Sequence, residues 1–184
     1  MTDREPPSLV EQISRGVLDA ELAALVWLLV EGGVPLVVAA PPDRLGAAAQ
    51  LLRGVLASVR PDLDGPELAE PLNSTRARRL IRGTRAGGIV AGDSLEAVFA
   101  ALGAAPLGLA QDELTFLGTV LILGGPARGR LRVEAAHYVR PLARDAHGHP
   151  QRLGPAVLAT WNAERGHFEH FAWGVLPEIA ARLG

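Results

Sequence analysis

The chain contains no lysine, and all 18 of its basic residues are arginine. Together with abundant Ala, Gly, Pro, Leu and Val, that bias most simply reflects a GC-rich genome. Its chemical consequence stands regardless: there is no Schiff-base lysine, no lysine general base and no lysine to hold a phosphate. Cysteine is absent too, which excludes disulfides, thiolate nucleophiles and cysteine zinc sites. The longest strongly apolar run, Leu22 to Val30, is too short to span a bilayer, so no membrane insertion is expected. A formal charge of −2 provides no broad basic field, and no nucleic-acid partner is expected. The first residues, MTDREPPS, are acidic and proline-bearing, unlike the basic start of a signal peptide, and the expected location is cytoplasmic.

What is present is globular in composition: 184 residues, 48% hydrophobic and 21% charged, enough chain to bury a core. Ser8 and Glu11 have capping-box spacing for a short helix ending at Gly16. Asp19 is placed to cap a very apolar helix running to Glu31, with Gly32-Gly33 as its stop. Val34 to Ala40 is a continuous apolar run before Pro41-Pro42 and reads as a buried parallel strand. Leu45 to Val59 follows as a helix. Pro61 to Pro71 is acidic and proline-punctuated, and predicts a surface loop with little regular structure. Ser74 is expected to cap a basic helix through Arg82, and Gly88 to Ala91 forms a brief strand. Asp93 and Glu96 have capping-box spacing for a helix over 94–102. Gln111 to Phe116 predicts a short helix, and Gly118 to Leu123 another buried strand.

From Arg130 the period changes to two. Leu131, Val133, Ala135, His137 and Val139 alternate with Arg132, Glu134, Ala136, Tyr138 and Arg140, which predicts a strand with one polar face. The segment 145–150 reads as a turn. Residues 155–161 and 167–173 read as two more strands, and Pro177 suits the first position of a final helix. The expected fold is α/β within a single domain, 1–184. Residues 1–125 form a parallel sheet core with helices on its faces, and residues 126–184 a β-rich antiparallel extension with a terminal helix, the two sharing one sheet.

Strand, loop, helix is the layout of a phosphate cradle, and residues 34–59 have it. The stretch VEGGVPLVVAAPPDRLGAAAQLL resembles the first strand and P-loop of the RecA-like ATPases of type II and type IV secretion and pilus assembly. That family usually carries Gly-Gly, an apolar strand and a Walker A loop of the form G-P-P-G-S-G-K-T. On this resemblance the vestigial phosphate loop is Ala40, Pro41, Pro42, Asp43, Arg44, Leu45, Gly46 and Ala47. Pro41-Pro42 match, Ala40 stands for the first glycine, and Asp43 and Leu45 replace two more. Gly46 occupies the lysine position, and Ala47 the Ser/Thr position that would ligate Mg²⁺. Leu45 puts a Cβ where the loop must approach phosphate, and Asp43 adds a negative charge beside the anion.

A second segment carries the same resemblance. The family's histidine box, roughly T-x-H-A-x-S-L-E-x-V, is matched by Ile89 to Val98, which keep the trailing D-S-L-E-x-V. Ala91 falls at the histidine and Ile89 at the threonine. Arg78 to Gly83 resembles the helix before that strand. No apolar run ending in Asp-Glu lies between Leu56 and Gly88 to act as a Walker B carboxylate. Over residues 20–125 the resemblance implies a RecA-like fold whose catalytic side chains are lost, hence no nucleotide cofactor and no catalytic residue. Its function would be that of a catalytically inactive binding or structural module, with a protein partner or self-association. The competing reading is an ordinary strand–turn–helix that never bound nucleotide.

The histidines supply a rival. His147-x-His149 and His167-x-x-His170, with Asp145, Glu164 and Glu169 nearby, invite a small metal-dependent enzyme. His167 and His170, three apart, point to opposite faces of a regular strand. No residue is therefore assigned as a metal ligand, and His137 reads as a core histidine. Trp161, Phe168, Phe171 and Trp173 form either a core under the last helix or a patch for a partner. Arg76, Arg78, Arg79, Arg82 and Arg85 form a basic cluster, either a solvated face or an anion site. A third possibility is a non-nucleotide ligand beside the Pro41-Pro42 turn, at the carboxyl end of a parallel strand.

Overall fold

Leu, Val and Ala fill residues 36–40 without a polar interruption, and strand β1 (Leu36–Ala40) is buried along its whole length. The computed structural model describes residues 6–63, 65–83, 86–125, 130–144 and 147–184. Two helices precede β1. Helix α1 (Leu9–Ser14) has the Ser8/Glu11 capping box, and α2 (Ala20–Glu31) is capped by the Asp19 side chain, which accepts from the Leu22 amide. Helix α3 (Leu45–Val59) follows the strand and lays Ala48, Leu51, Leu52 and Val55 on the sheet.

The segment after α3 departs from expectation. Instead of a loop with little regular structure, it makes two 3₁₀ turns, Pro61–Leu63 and Pro66–Ala69, and inserts Leu68 into the core. Helix α4 (Ser74–Ile81) is capped by Asn73, not Ser74, whose hydroxyl donates instead to the Pro106 carbonyl at 2.7 Å. After β2 (Gly87–Ala91), helix α5 (Leu95–Gly103) is capped by Ser94 rather than Asp93. Helix α6 is one turn, Gln111–Leu114, followed by β3 (Thr119–Gly124).

Strand β4 (Arg132–Tyr138) corrects the period-two reading. Ile122 faces Ala135 but Leu123 faces Val133, so Glu134 is an extra, bulged residue. The bulge moves Val133 to the face of Ala136 and Tyr138, while Ala135 packs on the opposite side. Ala136 and Tyr138, expected on a polar face, are fully buried; both faces of β4 carry core residues. The chain then makes a small hairpin, β5 (Ala143–Arg144) with β6 (Pro150–Gln151), before β7 (Ala156–Asn162) and β8 (His167–His170). Ala172 and Trp173, expected to end the last strand, belong instead to a 3₁₀ turn (Ala172–Gly174) that leads into α7 (Leu176–Leu183).

Six strands form one open sheet in the order β2-β1-β3-β4-β7-β8. Ladders β1·β2 and β1·β3 are parallel, and the other three are antiparallel. The front and tail of the chain do share one sheet. It is a mixed sheet with a three-strand parallel part, however, not an extended parallel core. Helices α1, α2, α3 and α7 cover one face, and α4, α5 and α6 cover the other around β1 and β3. No helix among the described residues is long and apolar enough to cross a membrane.

Gly54 shows how closely the first layer packs. A Cβ there would collide with the Pro7 carbonyl oxygen, so α3 meets the backbone before α1 at a glycine. Helix propensity alone would make Gly54→Ala stabilising by about 1 kcal/mol. Forced separation of the two backbones should outweigh that, and we expect a net loss of about 1–3 kcal/mol in urea unfolding. An unchanged or raised midpoint would show that the 6–14 segment repacks freely.

Candidate functional site

The 40–47 segment sits at the carboxyl edge of the parallel strands, where open α/β sheets bind ligands. Ala40 ends β1 fully buried, and its carbonyl accepts the Gly92 amide at 2.9 Å, tying the ends of β1 and β2 together. Pro41 turns the chain, and Pro42, Asp43 and Arg44 form a 3₁₀ turn closed by Arg44 N–H to Pro41 C=O at 2.8 Å. Leu45, Gly46 and Ala47 are already the first turn of α3. Leu45 and Ala47 lean on the core.

A phosphate nest needs consecutive amides turned inward by alternating right- and left-handed residues. No residue from 40 to 47 has a positive φ. Gly46 is helical, and a Cβ on it would meet nothing within 4 Å, so this position does not require a glycine. Arg44 crosses the strand ends and donates from Nη1 to the Gly125 carbonyl at 2.7 Å. Its side chain is only 16% exposed, whereas Asp43, 3.8 Å from Arg44 Nε, is 77% exposed. Asp43 therefore points largely into water, where its repulsion of an anion is screened. The turn is closed by helix and guanidinium.

The Ile89 to Val98 segment lies alongside. Ala91 ends β2 exposed, Ile89 is buried within the strand, and Ser94 is occupied as a helix cap. His137 faces α5. Burial lowers its pKa from the ordinary 6.5, partly opposed by the negative charge of Glu96.

The other histidines do not converge. His147 and His149 stack on each other at 6.2 Å beside the small hairpin, and His167 is exposed on β8. His170 turns to α2, with Nε2 2.8 Å from Asp19 Oδ2 and Nδ1 3.7 Å from Glu21 Oε1. No group of three or more His, Cys, Asp or Glu side chains suited to a metal occurs among the described residues, and Asp145 lies outside them.

Of the arginine cluster around α4, Arg76 pairs with Glu70 and Arg78 with Glu113 at 3.0 Å; Arg85 lies outside the described residues. The aromatic group divides. Trp161 meets Phe168 edge-on at 5.1 Å, but Phe171 is 42% and Trp173 78% exposed. A cleft of about 620 Å³ lies elsewhere, between α5, α6 and the chain after β4, lined by Phe99, Leu114, Val139, Arg140 and Arg152. Arg140 is held there by Glu178 at 3.0 Å, and Arg152 by Gln111 and Asp112. No protein-family model matches the chain, and no curated protein is similar to it.

Two outcomes follow. Arg44→Met keeps the stem but removes the donors to Gly125; leaving that carbonyl short of a partner should cost about 1–3 kcal/mol in urea unfolding. A variant as stable as the parent would mean that the Arg44 contact is not formed in solution. His137 has a folded pKa below its unfolded value, so the unfolded chain binds the proton more readily. Its contribution is fully present above the unfolded value of 6.5 and lost as pH falls below it toward the lower folded pKa. The thermal midpoint should therefore drop between about pH 7 and about pH 5, and drop less in His137→Gln. Identical profiles for the two proteins would exclude His137 as the group responsible.

Proposed function

We propose that the chain is a non-catalytic module derived from a secretion-ATPase-like, RecA-like ancestor, and that it acts by associating with a protein partner or with its own copies. The observation that carries this reading is the closed 40–47 turn. A strand and helix flank it in the order of a phosphate loop, yet its amides belong to helix turns and Arg44 lies across the mouth. β1 lies between two parallel neighbours, which also suits such an ancestry. Phosphate transfer needs a cation on the phosphates and a metal ligand beside them. Gly46 and Ala47 stand at those positions and supply neither. The 3₁₀ turn and start of the last helix support association: Phe171, Trp173 and Leu176 present exposed apolar surface of the kind that anchors interfaces.

Isothermal titration with ATP and Mg²⁺ is the direct test. We expect no micromolar binding and no phosphate release above background. Micromolar affinity with turnover would refute the proposal. Sedimentation of the purified chain tests the association arm: a concentration-dependent mass, reduced by Trp173→Ser, identifies self-association. A monomer at all concentrations leaves the protein-partner arm alone.

A further inference from the structure

A second cleft opens at the same edge of the sheet, beyond β3 from the 40–47 turn. It encloses about 370 Å³ and includes Ile13, Leu18, Arg130, Arg132, Trp161 and Phe168 in its lining. Strand pairing creates it. β7 stays beside β4 only as far as Thr160, opposite Ala135; beyond that, Trp161 pairs with Phe168 of β8. The first residues of β4 turn instead to the α1–α2 loop, where the Val133 amide donates to the Val17 carbonyl at 2.7 Å. The gap between these two pairings is the cleft.

Its charge is unusual for this molecule. Arg44, Arg76, Arg78, Arg140 and Arg152 are paired with carboxylates or carbonyls, but neither Arg130 nor Arg132 has a hydrogen bond or ion pair among the described residues. The Arg132 guanidinium lies 4.1 Å from the Trp161 ring centroid, so one of its faces is on the indole. Its Nε is buried and without a hydrogen-bond partner. Gly16, at φ +67°, leaves room for Arg130 to lie over the loop; a Cβ there would be 3.4 Å from Arg130 Nη1.

Asp19 and His167 also line the cleft, but the carboxylates around it have partners or contacts other than the two arginines. Asp19 accepts from Leu22 N–H at 2.9 Å and faces His170 at 2.8 Å. Glu169 accepts from Asn162 at 2.8 Å, and Glu134 is folded onto Gly124.

A guanidinium stacked on a ring keeps its edge free, and that edge matches the two oxygens of a carboxylate or phosphate. A buried donor left without an acceptor is unfavourable, and an oxyanion removes that deficit. We propose that Arg130, lying over the Gly16 loop, and Arg132, held on Trp161, form a binding site for a small organic anion. Its carboxylate or phosphate head meets the guanidinium groups, and its apolar body lies against Ile13, Leu18 and Phe168. The site is separate from the 40–47 turn and does not depend on the ancestry of that turn.

The test is tryptophan fluorescence of the full chain, titrated with benzoate, phenyl phosphate and inorganic phosphate at ionic strength held constant with chloride. We expect a saturable change with at least one organic anion; benzoate alone identifies a carboxylate head and phenyl phosphate alone a phosphate head. Arg132→Gln should weaken binding about tenfold or more. Arg130→Gln, at an exposed position, should weaken it with the thermal midpoint unchanged, which separates lost binding from lost folding. Trp161→Phe should remove the fluorescence change while calorimetry still detects the ligand. The proposal is overturned by a response no different from chloride, by saturation with inorganic phosphate alone, or by full affinity in both arginine variants. Binding lost in Arg44→Met but kept in Arg132→Gln would also overturn it, by placing the anion at the 40–47 turn.

Discussion

Burial of β1 on both faces is the constraint from which most of this molecule follows. A strand with no polar face must be covered above and below, and its parallel neighbours can be reached only by crossovers that carry helices. Helix α3 covers one side directly after the strand. The chain then rounds the β2 edge through its 3₁₀ turns, and α4, α5 and α6 supply the other side. The antiparallel strands meet a weaker requirement. One face of them lies under α2 and α7, while the other leaves Val157 38% exposed and holds polar residues such as Glu169.

Local chemistry made much of this legible. The Ser8/Glu11 box, the Asp19 cap, the glycine stop after α2 and the uninterrupted apolar run of β1 each act within a few residues, so the sequence alone predicts them. Where two adjacent residues could cap, local rules did not decide between them. Asn73 prevails over Ser74, which is drawn by a tertiary contact to the Pro106 carbonyl, and Ser94 prevails over Asp93. The Glu134 bulge was illegible for a deeper reason. Alternation along β4 depends on its pairing with β3, and a single inserted residue exchanges the faces of everything before it.

The candidate site shows the same division. The absence of a lysine or a hydroxyl at Gly46 and Ala47 is visible in the sequence, and it predicts what the turn cannot do. What the turn does instead depends on contacts across long separations. Arg44 finds its acceptor 81 residues away, and His170 meets Asp19 across 151. The metal reading of the histidines treated neighbours in sequence as neighbours in space. His167 and His170 leave opposite faces of β8, as strand geometry requires, and His170 turns to a helix cap.

Pro71 has a role in how the sheet ends. It bridges to Ile89 on the outer side of β2, and the next amide, at Leu72, donates to the Ile89 carbonyl at 2.9 Å. A proline at that margin offers no N–H to an incoming chain. The opposite margin is β8, only four residues long and ended by the turn at Ala172. Both flanks of the sheet thus resist lengthening by strand addition. A chain that docked on this protein would find little strand backbone to extend at either margin.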